Sequence, residues 1–146
     1  MSKAERNDQI IEGLKQEGTL SGAARHASVD RGTVRRLIGS HEEASDALLH
    51  GQERRLMRRV VFHAQKVRGA FNQLKTARAE LRVEQAKLVD HYAGMSAEQV
   101  KEADSALCLL YDKSRAQLQR LRRCDQAHEQ AIRCYAAHVV GMSVGD

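Results

Sequence analysis

The absence of proline from all 146 residues constrains the fold of this chain more than any other feature. Proline normally makes up about 5% of a protein and marks turns, edge strands and helix starts. A chain without it that is rich in Ala, Leu, Glu, Gln, Lys and Arg is suited to long helices. Aromatic residues make up only 3% of the chain, and strand-forming side chains are too sparse for a substantial sheet. We therefore predict an all-α protein and exclude a β-sandwich, a TIM barrel and a doubly wound nucleotide-binding domain.

Cysteine content and hydropathy indicate the compartment. The three cysteines show neither disulfide-framework nor C-x-x-C spacing, which is typical of reduced thiols. The N-terminus lacks the apolar core of a signal peptide, and no stretch approaches the roughly 20 apolar residues that span a bilayer. We expect a soluble protein of the cytoplasm with no membrane partner.

The positive charge is concentrated in the middle of the chain. The formal net charge is +5, which favours an anionic partner. Residues 51–91 hold ten Lys/Arg and four Asp/Glu, whereas residues 1–50 hold seven and eight, and residues 92–146 hold seven of each. Within the nearly neutral N-terminal part, residues 21–39 carry four arginines and a single acid, Asp30, so a short basic face is expected there.

The first 50 residues predict a domain of short helices. Apolar spacing and capping residues indicate three of them: Lys3–Glu17 ending at Gly18, a helix capped by Thr19 and running to about Ala27, and Arg31–Ile38 capped by Asp30. Ser40 and Glu43 have the S-x-x-E spacing of a capping box, which predicts a fourth helix from His41.

A long, regular apolar pattern follows from Gln52 to Tyr92. Apolar residues recur every seven positions without a break, as in a coiled coil. The members of this seam are Val60, Val67, Leu74, Leu81 and Leu88. The pattern predicts one long helix with a continuous apolar stripe.

A second long helix is predicted after a turn at Gly94. Ser96 and Gln99 form another capping box, and apolar spacing continues over residues 97–140. The two helices are predicted to form an antiparallel hairpin. The predicted domains are a helix-turn-helix domain over 1–50, a helical-hairpin oligomerisation domain over 52–140 and a short C-terminal tail over 141–146.

The hairpin is predicted to self-associate. The run from Leu107 to Tyr111 is apolar on every side, and such a helix needs several neighbours. Leaving it exposed would create a larger apolar patch than soluble monomers usually carry. The residues predicted to hold copies together are those of the seam and of this run: Val60, Val67, Leu74, Leu81, Leu88, Leu107, Leu109, Leu110 and Tyr111.

Residues 20–39 carry the strongest local motif, that of a helix-turn-helix. Such a motif needs small residues where its helices cross, an apolar residue in the turn and two apolar residues one turn apart on the second helix. The sequence offers, in that order, Ala23, Ala24 and Ala27, then Val29, then Val34 and Leu37. The alternative is a plain three-helix bundle with a solvated basic face. One departure from the motif is Ser28, because Gly often fills this turn position and favours a left-handed backbone more than Ser does.

The remaining side chains of the second helix are polar or basic and are predicted to contact DNA. An arginine in the major groove can pair with guanine through two hydrogen bonds or hold a phosphate. Polar residues on the preceding helix lie where phosphate contacts are usually made. The predicted DNA-binding residues are Ser21, Arg25, Arg31, Gly32, Thr33, Arg35 and Arg36.

This motif with a long hairpin behind it resembles the small terminase subunit of tailed bacteriophages. That family commonly shows a turn of the form G-V-S-R-x-T-V, followed by a short acidic helix start. Here the corresponding residues are Ser28-Val29-Asp30-Arg31-Gly32-Thr33-Val34 and then Ser40-His41-Glu42-Glu43. The likeness covers most of the chain as an arrangement and about residues 19–50 as a motif, which many DNA-binding regulators share.

The resemblance implies a ring-forming homo-oligomer that acts in the host cytoplasm during infection. In that family, the N-terminal domains recognise the packaging site on double-stranded viral DNA and the hairpins build the ring. The further partner is the large terminase subunit, which holds the ATPase and nuclease. The sequence leaves open a dimeric helix-turn-helix transcriptional regulator with a coiled-coil arm, and a coiled-coil adaptor whose N-terminal bundle binds protein.

Four arginines at the start of the long helix form a second basic group: Arg54, Arg55, Arg58 and Arg59. Their spacing places like charges four residues apart twice, which costs a helix a few tenths of a kcal/mol per pair. An acidic partner should offset this cost. We consider DNA, another subunit and the second helix of the hairpin as sources of that partner, beside simple solvation.

Signatures of catalysis are lacking. The chain has no G-x-x-x-x-G-K-[ST] phosphate loop, no H-E-x-x-H and no G-x-S-x-G. Cys124 with His128, and Cys134 with His138, are spaced to share a metal, but the pairs lie about 15 Å apart along one helix. We expect ordinary packing of these side chains and no bound metal. Because the sequence has no catalytic signature, we also expect no enzyme activity and no cofactor.

Overall fold

A computed structural model describes residues 1–145 of the chain, and the side chains of residues 1–141. The elements are α1 (Lys3–Glu17), α2 (Leu20–Ala27), α3 (Arg31–Ser40), α4 (Glu42–His91), a 3-10 turn (Tyr92–Gly94) and α5 (Ala97–Gly145). No strand occurs in residues 1–145, so the predicted all-α class is confirmed. Among these helices, none is both long and apolar enough to cross a membrane.

The chain divides into two compact units. The first, which we call the N-terminal unit, is Met1–Val61 with Gln130–Asp146. The second, the helix-pair unit, is Phe62–Glu129. Both α4 and α5 contribute to both units, and the predicted domain boundary near residue 51 lies inside α4. The predicted tail over 141–146 is helical as far as Gly145, and Asp146 lies outside the described residues.

Local capping explains most helix starts. The Thr19 hydroxyl accepts a hydrogen bond from Gly22 N at 3.0 Å, and the Asp30 carboxylate accepts one from Thr33 N at 3.3 Å. Both caps were predicted from the sequence, and both are confirmed. The capping box at the start of α5 is also confirmed, since Gln99 N donates to Ser96 Oγ at 3.2 Å and the Gln99 side chain accepts from Ser96 N at 2.9 Å.

The capping box predicted at Ser40 is wrong. Ser40 is the last residue of α3, and its hydroxyl donates back to Arg36 O at 2.9 Å. Because Ser40 belongs to α3, its hydroxyl is directed back at the carbonyl groups of that helix and accepts no hydrogen bond from Glu43 N. Instead, the backbone of His41 joins the two helices: its N–H donates to Leu37 O, and its carbonyl accepts from Ser45 N. The helix that follows begins at Glu42.

The core of the N-terminal unit is built from all four of its first helices. Ile10, Leu14 and Val34 are the largest fully buried side chains. Five of the six apolar positions of the helix-turn-helix pattern are buried in the structure, and the sixth, Val29 in the turn, is half-buried against the core. The buried five are Ala23, Ala24, Ala27, Val34 and Leu37. The first two turns of α4 close this core with Ala44 and Ala47. Small residues let these short helices approach closely, and larger ones fill the space between them.

Two glycines bring the end of α1 against the backbone of α4. Gly18 ends α1 in a left-handed conformation with φ 64°. A Cβ added at Gly51 would collide with the carbonyl oxygen of Leu14 and would lie only 2.8 Å from Gly18 Cα. The domain boundary predicted from the sequence falls at Gly51, but this residue lies within α4. The absence of a side chain at Gly51 lets the backbones of α1 and α4 pack closely, and this glycine does not form a turn.

The helix-pair unit consists of the middle parts of α4 and α5 and the turn between them. Its buried residues are Ala70, Leu74 and Ala77 on α4. Only these two helices make up the unit, so this burial comes from their packing together. The Lys113 ammonium binds the Glu80 carboxylate at 3.0 Å, and Arg120 donates to Gln73. The later residue on α4 pairs with the earlier one on α5, as an antiparallel pair requires.

Candidate nucleic-acid interface

One face of α3 is basic and exposed, and the opposite face is apolar and buried. Val34 and Leu37 point into the core, whereas Arg31, Arg35 and Arg36 are exposed. This division follows from the helical period, which places residues three and four apart on the same side. The predicted contact residues Gly32, Ser21 and Arg25 are also exposed, and Thr33 is half-buried.

The three arginines of this face are not equivalent. Thr33 Oγ1 donates to the Asp30 carboxylate and accepts a hydrogen bond from Arg36 Nη2 at 3.2 Å. Arg36 is therefore held on its own helix. Arg31 and Arg35 have no hydrogen-bond or ion-pair partner among residues 1–141, so their guanidinium groups are free to bind a ligand.

Asp30 completes this arrangement as an ionised cap. The hydrogen bond from the Thr33 side chain is the main influence that lowers the pKa of the carboxyl below 3.8, and the positive charge of Arg36 acts in the same direction. The carboxylate therefore stays charged at neutral pH, at the N-terminus of α3, where negative charge is favourable. Its negative charge also neutralises part of the positive charge of the basic face, next to Arg36.

The turn between α2 and α3 has a left-handed residue that is not glycine. Ser28 has φ 55° and ψ 45°, and it is the only non-glycine residue with positive φ in the described chain. Ser28 N donates to Arg25 O at 3.3 Å, and Val29 N donates to Ala24 O at 3.0 Å. This pair of bonds is the Schellman arrangement that ends a helix. The turn thus adopts the conformation that favours glycine, although serine occupies it.

The arginine group over residues 54–59 of α4 has no acidic partner within the described chain. Arg54 Nη1 donates to the backbone carbonyl of Lys15 at 3.4 Å. None of Arg55, Arg58 and Arg59 forms an ion pair with residues 1–141. Pairing with the second helix of the hairpin, one of the alternatives drawn from the sequence, is therefore not observed. Arg55 and Arg59 instead line a small cavity together with His138.

The helix-pair unit presents an apolar surface. Leu109 is 72% exposed and Tyr111 is 56% exposed, whereas Leu107 and Leu110 are half-buried. A groove of about 670 Å³ opens beside them, with apolar walls that include Val83 and Leu109. The run over residues 107–111 thus remains partly uncovered within one chain, as its all-round apolar pattern suggested.

The heptad seam is largely covered by the chain itself. Leu74 is only 3% exposed, and the other four seam residues, Val60, Val67, Leu81 and Leu88, are half-buried. Of the residues predicted for self-association, Leu109 and Tyr111 are therefore the ones most available to a second copy. Phe71 and Val83, which were not among the residues predicted for self-association, are exposed as well.

The two Cys–His pairs form no cluster suited to a metal. Among the described residues, no group of three or more His, Cys, Asp or Glu side chains is placed to bind one. The Nε2 atom of His138 lies 3.1 Å from the carbonyl oxygen of Leu49, so that ring is fixed by the backbone of α4. Cys134 lies within 3.8 Å of the Gln130 amide on its own helix.

Sequence reasoning missed the polar contacts that join α5 to the first part of α4. The Tyr135 hydroxyl donates to Glu53 at 3.3 Å. Partial burial raises the pKa of Tyr135 above 10.0, and the negative charge of Glu53 adds to this effect, so the hydroxyl keeps its proton at neutral pH. These residues are far apart in sequence, and no local pattern marks such a pair.

Comparison with known proteins identified no relative of this chain. The chain matches no protein-family model, and no curated protein or solved structure shows significant similarity to it. Its function must therefore be argued from the surfaces described above.

Proposed function

We propose that α2 and α3 form a helix-turn-helix that binds double-stranded DNA, with α3 in the major groove. The observation that carries this proposal is the pair Arg31 and Arg35, two exposed arginines without partners on a helix whose other face is buried. Asp30 at the start of the helix and Ser28 in the turn hold that helix against α2. Arginines offered in this way suit guanine edges and phosphates.

The individual residues take different roles in this proposal. Arg31 and Arg35 read base edges, while Arg25 and Ser21 on α2 contact phosphates of the backbone. Gly32 lies between the two reading arginines and has no side chain, so the helix can come close to the groove. Arg36 and Thr33 brace the start of the helix through Asp30, and they contribute to binding mainly by orienting it.

We further propose that the chain is a non-enzymatic recognition subunit like the phage small terminase. Copies associate through the apolar surface around Leu109 and Tyr111, and the oligomer displays many DNA-binding units at once. Linked units gain affinity through effective concentration without any new contact per unit. In this role the protein marks viral DNA for packaging and hands it to a large terminase subunit, which supplies ATP hydrolysis and cleavage.

A dimeric transcriptional regulator is the second candidate, because a basic recognition helix and a long helix pair also suit a dimer. The two candidates differ in subunit number. Native mass spectrometry of the full chain distinguishes them: many subunits support the terminase-like role, and a dimer supports the regulator. A monomer at tens of micromolar would contradict both of these candidates, and a protein-binding adaptor would be the remaining one.

DNA binding itself is tested with a double variant. Selection of duplexes from a random pool should first recover a preferred site for the wild-type chain. We expect Arg31→Ala with Arg35→Ala to abolish binding to that site in a gel-shift assay and to leave the oligomer mass unchanged. Lys3→Ala with Arg6→Ala removes the same charge from exposed positions of α1 and is the matched control.

The salt dependence gives an independent check. If phosphate contacts dominate, the affinity for any duplex should fall steeply as salt is raised. Full binding by the Arg31/Arg35 variant would overturn the assignment of α3 as recognition helix. A wild-type affinity that does not change with salt would favour a protein-binding adaptor over both DNA-binding candidates.

A further inference from the structure

The N-terminal unit contains a small cavity whose polar lining consists mainly of hydrogen-bond donors. Its volume is about 330 Å³, and it is lined by Gln52, Arg55, Leu56, Arg59 and His138. Arg55 and Arg59 lie one turn apart on α4, so both guanidinium groups reach the same side of that helix. His138 comes from α5. Half-buried Leu56 supplies the apolar part of the wall.

The residues around this cavity leave its positive charge unneutralised. From residue 54 to residue 79, α4 carries eight Lys/Arg and no Asp/Glu, and residues 130–141 of α5 contain no acid either. The neighbouring acid on α4, Glu53, accepts the hydrogen bond of Tyr135 and lies 4.0 Å from His50 Nδ1. Arg55 and Arg59 therefore face each other's charge without a carboxylate between them.

His138 adds a third polar group in a fixed orientation. A carbonyl oxygen can only accept, so the contact of 3.1 Å with Leu49 O requires the proton on Nε2. The other ring nitrogen, Nδ1, has no partner in the part of the chain that the structure describes. With its proton donated to Leu49 O, the neutral imidazole has no N–H left for an anion and serves only as part of the wall. The two guanidinium forks of Arg55 and Arg59 supply the donors for a tetrahedral oxyanion, and arginine is the residue best suited to bind phosphate through paired hydrogen bonds.

We propose that this cavity binds a phosphate group and that, given the proposed function, the group is a phosphodiester of DNA outside the recognised site. Such a contact does not depend on base sequence and positions the protein on the duplex. It gives the second arginine group a role separate from that of α3. It also explains why like charges four residues apart persist on α4, since the bound anion compensates their repulsion.

The first experiment uses inorganic phosphate alone. The melting temperature of the full chain is compared in phosphate and in chloride at equal ionic strength and equal pH. We expect a higher melting temperature in phosphate for the wild-type chain. For Arg55→Gln with Arg59→Gln we expect only the smaller increase that phosphate, as a kosmotropic salt, gives any folded protein. Arg58→Gln with Arg68→Gln removes the same charge from exposed positions of α4 outside the cavity, and it should keep the wild-type response.

The second experiment uses a duplex without the preferred site. We expect the Arg55/Arg59 variant to bind it about 10-fold more weakly at low salt, with the slope of log affinity against log salt reduced by about 1, as for one lost phosphate. The Arg58/Arg68 control should change the slope much less. Arg55→Lys with Arg59→Lys keeps the charge but loses the paired hydrogen bonds, so it should bind with intermediate affinity. This variant also keeps the proposal testable if the Gln variant does not fold.

The outcomes separate this proposal from the proposed function. Equal weakening of duplex binding by the cavity variant and the control, with the same response to phosphate in both variants and the wild type, would overturn the cavity and leave DNA binding intact. A phosphate response that depends on Arg55 and Arg59, in a wild-type chain that binds no duplex, would support the cavity with free phosphate as its ligand and overturn DNA binding. Loss of specific binding only on substitution of Arg31 and Arg35, with wild-type behaviour of the cavity variant in both experiments, would again overturn the cavity.

Discussion

The two units of this protein bury their apolar residues to very different extents. The N-terminal unit packs ten buried apolar residues into one cluster, in which Ile10, Leu14 and Val34 are fully buried. The helix-pair unit buries only Ala70, Leu74 and Ala77, while seven of its large apolar side chains stay exposed, against six in the N-terminal unit. Several short helices can surround a shared centre, but two long ones cover only a stripe on each other. The first unit therefore satisfies its own core, and the second leaves a surface that a partner could cover.

The glycines show the same difference. In the N-terminal unit, a Cβ at Gly13, Gly18, Gly22, Gly32 or Gly51 would come within 3.0 Å of another atom, whereas at Gly39 and Gly141 it would meet nothing within 4 Å. In the helix-pair unit, a Cβ at Gly69 or Gly94 would meet nothing within 4 Å. Close approach to another backbone thus requires glycine at Gly13, Gly18 and Gly51 of the N-terminal unit, and at neither of these two glycines of the helix-pair unit.

Substitution of Gly51 by Ala should have the largest effect on stability. The new methyl group would meet backbone atoms of Leu14 and Gly18, which cannot move aside as a side chain can. We expect a loss of about 3 kcal/mol in the free energy of unfolding, measured by urea denaturation. The control Gly69→Ala on the same helix should instead gain about 0.5–1 kcal/mol, because alanine is the better helix former. A small effect at Gly51 would show that the close packing is not essential.

Polar substitution of the exposed apolar run should weaken self-association. We expect Leu109→Ser with Tyr111→Ser to raise the dissociation constant of the oligomer by about 100-fold, or about 2.7 kcal/mol, as measured by sedimentation at several concentrations. Ile132→Ser with Val140→Ser changes exposed apolar residues of the N-terminal unit and should leave the oligomer unaffected. If the control pair has the larger effect, the distinction between the two units fails.

Glycine at position 28 should stabilise the protein slightly. Ser28 holds a left-handed backbone that costs a residue with a side chain roughly 1 kcal/mol, and glycine avoids this cost but is freer when unfolded. The expected net gain for Ser28→Gly is about 0.5 kcal/mol in thermal denaturation. Ser105→Gly, on the exposed surface of α5, should lose a similar amount. Destabilisation by Ser28→Gly would mean that the serine side chain makes a contribution of its own.

The smallest predicted effect is the pH dependence contributed by Asp30. The folded state lowers the pKa of this carboxyl below 3.8, so its contribution to stability is complete above that value and is lost as the pH falls through the folded pKa. Asp30→Asn keeps an oxygen that can cap α3 but removes the charge. The melting temperatures of the wild type and the variant should therefore converge below about pH 4. A constant difference down to low pH would show that the charge of Asp30 has no influence on stability.

The sequence was sufficient where the determining interactions are local. Thr19 and Asp30 cap helices through residues only three positions away, and the helical period alone places Val34 inside and Arg35 outside. These features decide most of the fold and the basic face of the candidate site. Ser40 shows the limit of this reasoning, because its hydroxyl could bond forward or backward and the spacing of residues does not decide between them.

The sequence was insufficient where contacts join distant residues. The contact of His138 with Leu49 and that of Tyr135 with Glu53 depend on how α5 packs against α4 in the N-terminal unit. The heptad seam had a similar ambiguity, since an apolar stripe looks the same whether it packs against its own chain or another. Only the low exposure of Leu74 shows that the chain covers this position itself.

The contact between Gly18 and Gly51 has a consequence for the order of events in folding. The two residues are 33 positions apart, so this contact closes a loop that contains all of α2 and α3. Closing such a loop costs conformational entropy before the packing around it contributes any stabilising free energy. The rate-limiting step should therefore bring α1 and α4 together, and α3 should reach its final orientation only after that encounter. The basic face would then be completed late, and amide protection of α3 should lag behind that of α1 during refolding.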